Sequence, residues 1–328
     1  MSLYRDMEVM LRRSTISRLK TNQLLRKLNG QINRSGESSV YHGLPDGIKY
    51  NLCCVRLLDL NFSDWSGWEH RDASMKGVLA INKPPYWNGE VVDKLAVMGE
   101  QGIGDEVLWA SMLNEVMGRV NHVVYFCDPR LVSIFQRSFP GLDVRARTTL
   151  LDDLESDEFD SFTMAADLMS LCRRSVDEFP REPYLIPDPA RVLNFEAYRG
   201  CNGVSFAGRH GSIDPYQLAP GMDVRNTFNL QYDRDTVLFP SLAFDLHDDL
   251  EGVLAFISVM DRVITVPNSI LHFAGAVGTF CEIILGENGV VDQLDWHVPL
   301  GENPYYGGMM TYKTTKDWLD VQTSTDRQ

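Results

Sequence analysis

Glu100-Gln101-Gly102-Ile103-Gly104-Asp105 follows the apolar run Leu95-Ala96-Val97-Met98. It leads into Glu106-Val107-Leu108-Trp109-Ala110-Ser111-Met112-Leu113, whose apolar residues recur at helical intervals. Strand, glycine turn and helix in that order open an α/β unit. The order places backbone N–H groups and the Asp105 carboxylate at a helix start on the carboxyl edge of a sheet. Open α/β sheets bind ligands at that edge, and amides at a helix start favour anions. Asp105 is therefore a candidate general base. The competing reading is a first-turn acid that satisfies the helix dipole and the first amides. The two glycines beside it fit close approach of a ligand.

The alternation continues downstream. His122 to Phe126 and the region of Val144 read as strands, with a helix around Leu131 to Phe139 launched by Asp128-Pro129. Phe179 to Pro189 carries four prolines in eleven residues and reads as an interdomain linker. Beyond it, Gly203 to Phe206, Thr227 to Leu230, Val263 to Val266 and Glu282 to Leu285 read as strands. Helices are expected from Asp248-Asp249-Leu250 to Met260 and after Pro267-Asn268-Ser269. Two such halves predict an α/β fold of two Rossmann-like domains facing a cleft. The first 70 or so residues, with Leu11, Ile16, Leu19, Leu24, Leu25, Leu28 and Ile32 at helical spacing, predict a short helical N-terminal extension. The expected division is 1–75, 76–190 and 191–328.

Composition narrows the class. The chain has 328 residues, 44% hydrophobic and 23% charged, as in an ordinary globular protein. Six cysteines show neither a Cys-x-x-Cys pair nor metal-ligand spacing, so reduced, partly buried thiols in a cytoplasmic protein are expected. The first twenty residues mix four arginines and two acids among apolar side chains, which is no signal peptide. The longest apolar stretch, Val263 to Leu285, is broken by Pro267, Asn268, His272 and Glu282, which argues against a membrane span. Net charge is −14, yet residues 1–36 carry eight basic side chains against two acidic ones. An acidic body repels nucleic acid, whereas the basic arm can attract an acidic partner or pair with the body itself.

Two further constellations bear on chemistry. Asn268-Ser269-Ile270-Leu271-His272-Phe273-Ala274-Gly275-Ala276-Val277-Gly278 begins a helix with small polar residues. Amides at that start can hold a diphosphate, with His272 one turn in as a donor. A lone histidine on an apolar helix is more often a packed core residue, and the two glycines can serve close packing on the sheet. Ala207-Gly208-Arg209-His210-Gly211 is a strand-end loop with a cation suited to phosphate, although surface ion pairs use arginine as often. There is no Walker loop, no Gly-x-Gly-x-x-Gly and no metal-binding cluster.

Together these stretches resemble the glycosyltransferase-like domain found at the C-terminal end of many bacterial tetratricopeptide-repeat proteins, related to heptosyltransferases. The resemblance covers roughly residues 45–320. Trp65-Ser66-Gly67-Trp68-Glu69-His70-Arg71 is similar to the end of the last repeat, and Pro85-Tyr86-Trp87-Asn88-Gly89 to the connector. Glu100 to Asp105 matches the first signature of the family, and Asp128-Pro129-Arg130-Leu131 and Arg137-Ser138-Phe139-Pro140 also fit. Phe228-Asn229-Leu230-Gln231-Tyr232 resembles its Leu-Gln strand end, and His272 to Gly278 its His-Leu-Ala-Gly-Ala-Leu-Gly helix. Trp296, Pro304-Tyr305-Tyr306 and Asp317-Trp318 match its aromatic landmarks.

The resemblance implies a GT-B arrangement, with an acceptor in the first domain and a nucleotide-sugar in the second. It implies inverting glycosyl transfer without a metal or other cofactor, to a hydroxyl of a glycan, protein or modified nucleic acid. Asp105 takes the place of the general base, and Gln101, Gly102 and Gly104 form the acceptor-side loop. Gly208, Arg209, Gln231, Tyr232, Asn268, Ser269 and His272 line the donor side. Two departures fall on that side: Pro267-Asn268 stands where many relatives have Asp-Thr, and the loop after Gly208 is short. They motivate one alternative, a catalytically degenerate binding module. The basic arm motivates another, a transferase acting on modified bases in DNA.

Overall fold

The computed structural model describes residues 25–30, 41, 44–70, 84–148, 154, 157–208, 211–286 and 297–325. Residues 25–30 are helical and are followed by helix α1 (Asp46–Leu58), which buries Leu52, Cys53, Val55 and Leu57. The Trp68 indole donates to the Ala166 carbonyl at 3.0 Å, and the buried Arg56 guanidinium donates to Ser66 O and Oγ at 3.0 Å. The helical extension is thereby tied to the unit that follows. Of the basic arm, Arg26 pairs with Asp59 at 2.7 Å; positions 1–24 and 31–40 lie outside the described residues.

Two parallel sheets follow. The first holds β1 (Lys94–Met98), β2 (His122–Cys127), β3 (Asp143–Ala146) and β4 (Ser161–Met164) in the order β3-β2-β1-β4. Residues Leu95 to Met98 of β1 are fully buried, as a central parallel strand covered on both faces must be. Helix α2 (Ile103–Ala110) leaves β1, a turn at Ser111-Met112 leads to α3 (Leu113–Met117), and α4 (Val132–Ser138) joins β2 to β3. The Asp128 carboxylate caps the 3₁₀ turn that starts α4 by accepting from Arg130 N at 3.0 Å. Strand β4 is not among the expected strands: Ser161-Phe162-Thr163-Met164 alternates polar and apolar residues over only four positions, too short to stand out, and the structure buries both of its faces.

After α5 (Asp167–Cys172) and α6 (Pro189–Asn194) comes the second sheet. It contains β5 (Asn202–Ser205), β8 (Thr227–Asn229), β9 (Arg262–Thr265), β10 (Phe280–Ile284), β11 (Gly301–Glu302) and β12 (Met309–Tyr312). The order is β11-β12-β10-β9-β5-β8, parallel except where β11 meets β12. A small hairpin, β6 (Ala207–Gly208) and β7 (Gly211–Ser212), and the short helix α7 (Pro215–Leu218) sit between β5 and β8. Helix α8 (Leu250–Ile257) precedes β9, α9 (Ser269–Val277) joins β9 to β10, and α10 (Thr315–Thr325) ends the chain's described part. The expected α/β class of two Rossmann-like halves is the one adopted. All six cysteines are buried and unbridged, and no described helix is long and apolar enough to cross a membrane.

The two halves are packed, not merely joined. One hydrophobic cluster contains Val107 and Leu108 from α2 together with Leu271 and Phe273 from α9. The proline-rich stretch is a strap along this seam: the Tyr184 and Leu185 amides both donate to Ala276 O at 2.9 Å. Helix α9 ends at Gly278, whose φ of 82° is left-handed, and any Cβ there would meet Pro183 Cγ of the strap at 2.5 Å. Glu251 of α8 accepts two bonds from Arg137 of α4, at 3.0 and 2.6 Å, and one from Ser133 Oγ at 2.6 Å.

Replacing Glu251 by Ala removes all three bonds across the seam while leaving the core intact. For a half-buried bidentate pair the expected loss is about 1–2 kcal/mol of unfolding free energy. A urea titration reads it directly, and an unchanged midpoint would assign the docking to apolar packing alone.

Candidate functional site

Strand order locates the site. In the first sheet the chain runs from β1 to β2 and β3 on one side and returns to β4 on the other, so the order reverses beside β1. In the second sheet it reverses beside β5, with β8 on one side and β9 on the other. Ligands of open α/β sheets bind outside the carboxyl ends of strands at such switch points. The loop after β1 is the Glu100 to Asp105 hexapeptide, and the loop after β9 is Pro267-Asn268. The helices launched there, α2 and α9, pack against each other at their first turns. Gly104 makes this possible: a Cβ on it would lie 2.6 Å from His272 Cδ2 and 3.1 Å from Ser269 Cα. The two switch points therefore meet in one place.

Asp105 lies in the first turn of α2, half-buried. Its Oδ2 accepts from Gly102 N at 3.1 Å, the reach-back bond of a capping acid. Its Oδ1 faces His297 Nε2 at 3.7 Å. Gln101, exposed just before it, holds φ at 64°, an uncommon conformation for a residue with a side chain. Behind the loop, Glu106 is fully buried; its carboxylate accepts from Asp128 N at 2.9 Å and pairs with Arg147 at 2.9 Å. Arg147 also donates to Gly99 O, and the buried Glu100 carboxylate accepts from Ala166 N at 3.3 Å. Burial pushes the Glu106 carboxyl up to about 7, against the pull of Arg147 and the Asp128 amide.

His272 is only 6% exposed and does not project into solvent. Its Nδ1 lies 2.8 Å from Tyr306 Oη. Tyr184 Oη donates to the Val107 carbonyl at 2.7 Å, since a carbonyl only accepts. The Tyr184 and Tyr306 rings stack with centroids 6.5 Å apart, and the His272 ring edge that carries Nε2 faces Gly104. The packed-core reading of this histidine describes its environment, and these contacts tie α2, the strap, the Tyr306 segment and α9 together.

The other donor-side residues are placed as follows. Asn268 Oδ1 accepts from Ile270 N at 3.0 Å, and its Nδ2 donates to Ser205 Oγ at 2.9 Å and Ala207 O at 3.0 Å. Its side chain therefore stitches the ends of β5 and β9. Ser269 opens α9 beside Gly104 and is half-exposed. Gly208 lies under Pro267, whose carbonyl a Cβ would strike at 2.4 Å, so the glycine serves packing there. Gln231 is buried, its Oε1 accepting from Ser205 Oγ at 2.9 Å and Ala207 N at 3.0 Å. Tyr232 is 61% exposed and its ring lies 5.3 Å from that of His247, whose carbonyl accepts from Arg130 of the first half at 3.0 Å. Arg209 lies outside the described residues.

Sequence reading has no signal for His297, a single imidazole beside the Trp296 landmark with no partner in its spacing, nor for the roles of Tyr184 and Tyr306. Glu106 and Arg147 were also missed, being 41 positions apart and ordinary in pattern. Glu106 next to Asp105 reads as a second first-turn acid, whereas its burial makes it the bracket of the loop.

No family model matches the chain. Protein FlbA of Caulobacter vibrioides is 27% identical over an alignment of 265 positions that covers 65% of this chain. The chain spans 44% of that protein's length. Among solved structures, Escherichia coli ADP-heptose lipopolysaccharide heptosyltransferase II gives a TM-score of 0.48 at 11% identity, covering 72% of this chain and all of that one. A family 9 glycosyl transferase of Veillonella parvula gives 0.45 at 10% identity, covering 74% and 91%. At these levels neither substrate nor activity passes from those proteins to this chain.

Two outcomes test the site's framework. Because the Glu106 carboxyl is raised, the folded state holds its proton more tightly than the unfolded chain does. Stability contributed by this group is therefore full below about 4.5 and falls as pH climbs to about 7. The fall is at most about 3 kcal/mol, from roughly 1.36 kcal/mol per tenfold in proton affinity. Denaturation of wild type and Glu106→Gln across that range should show the slope only in wild type. Tyr306→Phe removes the hydrogen-bond partner of the buried His272 Nδ1 and should cost about 1–3 kcal/mol, measured by the same titration.

Proposed function

We propose that this protein transfers a sugar from a nucleotide-sugar to a hydroxyl acceptor at the junction of α2 and α9. The observation that supports it most is the meeting of two switch-point helix starts, one carrying a half-exposed carboxylate with one oxygen turned from its cap. The ordered family motifs of the sequence fall on these same two loops. In this reading Asp105 takes the proton of the acceptor hydroxyl. The acceptor oxygen then bonds to the anomeric carbon from the face opposite the leaving group, and the bond from that carbon to the diphosphate oxygen breaks. The nucleoside diphosphate leaves with the electron pair, held by the first amides of α9. The exposed Tyr232 ring, at the carboxyl end of β8, offers a face for the nucleoside.

One observation favours a second reading. Asn268, Gln231 and His272 all spend their polar atoms inside the fold. A module that keeps the architecture and binds a partner without turnover needs nothing more. The two readings part on ligand binding and on Asp105.

Thermal unfolding is to be followed with nucleoside diphosphates and nucleotide-sugars. A true donor nucleotide at a hundred times its Kd adds about 2.7 kcal/mol. Asp105→Asn should keep that gain and lower turnover by roughly 10²–10⁴-fold, the usual worth of a general base. Absence of any nucleotide effect favours the binding module, and full turnover in the variant removes Asp105 from the chemistry.

A further inference from the structure

Asp105 has a second neighbour that the transfer reading does not use. One carboxylate oxygen is committed to Gly102 N at 3.1 Å; the other faces His297 Nε2 at 3.7 Å, within ion-pair range. Both side chains are about one-fifth exposed, at 22% and 19%, so their attraction is neither fully screened nor fully desolvated. Among the described residues, Asp105 and His272 face the His297 ring. Asp105 comes from α2; His272 comes from α9, edge-on with ring centroids 5.7 Å apart; Tyr306 lies behind His272 at 5.8 Å. The His297 backbone is pinned, its carbonyl accepting from Asn303 Nδ2 at 2.9 Å. His272 is buried with its Nδ1 on Tyr306 Oη, and among the described residues the carboxylate that faces His297 is Asp105.

We propose that His297 is a positioning residue that clamps Asp105 according to its own protonation. As an imidazolium it holds Oδ1 in an ion pair, and that oxygen does not receive an acceptor hydroxyl. As neutral imidazole it releases Oδ1 with its geometry unchanged, because Gly102 N keeps the other oxygen in place. The junction is then quiet while His297 is protonated and opens once it has lost that proton. The clamp rests on the transferase reading for its use, and on the Asp105–His297 geometry alone for its existence.

The test separates these. The seven histidine Cε1 protons are titrated by NMR in the intact chain, and His297 is assigned by the signal lost in His297→Gln. In wild type its midpoint should stand above that in Asp105→Asn by about one pH unit, the effect of an opposite charge at this range. Asparagine keeps an acceptor for the Gly102 amide. Asp105→Ser, which also keeps one, repeats the measurement should the first variant not fold. A His297 midpoint unmoved by loss of the carboxylate overturns the proposal, whatever the activity. Where transfer is detected, kcat should rise through the His297 midpoint in wild type and be flat from about pH 6 to 8 in His297→Gln; an identical profile in both overturns the clamp. If the midpoint moves and no sugar is transferred at any pH, the charge pair stands and the transferase reading falls.

Discussion

The structure turns on a contact made by a residue that has no side chain. At Gly104 the first turn of α2 comes so near Ser269 and His272 that even a methyl group would have to displace them. Helix starts carry the same sign of partial charge and unsatisfied amides, so two of them meet only where packing elsewhere holds them there. Here the holding is done by the shared apolar core, by the strap through Tyr184 and Leu185, and by the Arg137–Glu251 pair. The reward is a concentrated set of amide donors at the reversal points of both sheets, a place prepared for negative charge.

Rigidity of the hexapeptide comes from buried polar groups rather than from its own turns. Glu106 and Arg147 hold the loop from beneath, Glu100 holds it to the end of β4, and the Gln101 backbone is forced into a left-handed conformation. In a low-dielectric interior such bonds are strong when complete and costly when broken. The Val107–Tyr184 and Tyr306–His272 bonds apply the same logic across the seam. A loop bracketed from three sides keeps Asp105 in one position, which a general base requires.

Several residues that the sequence marks as candidates carry structural roles. Asn268 is a helix cap and a stitch, Gln231 is a buried hydrogen-bonding hub, Gly208 and Gly275 are clearances for Pro267 and the Tyr306 ring, and His272 is packed. Asp105 and Ser269 are half-buried, and Tyr232 is exposed. Family motifs mark residues that hold a site as readily as residues that act in it.

The sequence alone determined the class of fold and the place of its two key turns, because strand, glycine turn and helix are written in local periodicity. Lys94–Met98, His122–Cys127, Asp143–Ala146 and Arg262–Thr265 fall where apolar runs predict strands. Only the tertiary structure decided that Ser161–Met164 pairs with β1 and so creates the switch point, since four alternating residues are too few to mark a strand and do not name its partner. It alone joined residues distant in sequence: Asp105 to His297, Glu106 to Arg147, His272 to Tyr306. Such pairs cost chain entropy to bring together and leave no trace in spacing, so their meaning appears only when both halves have packed.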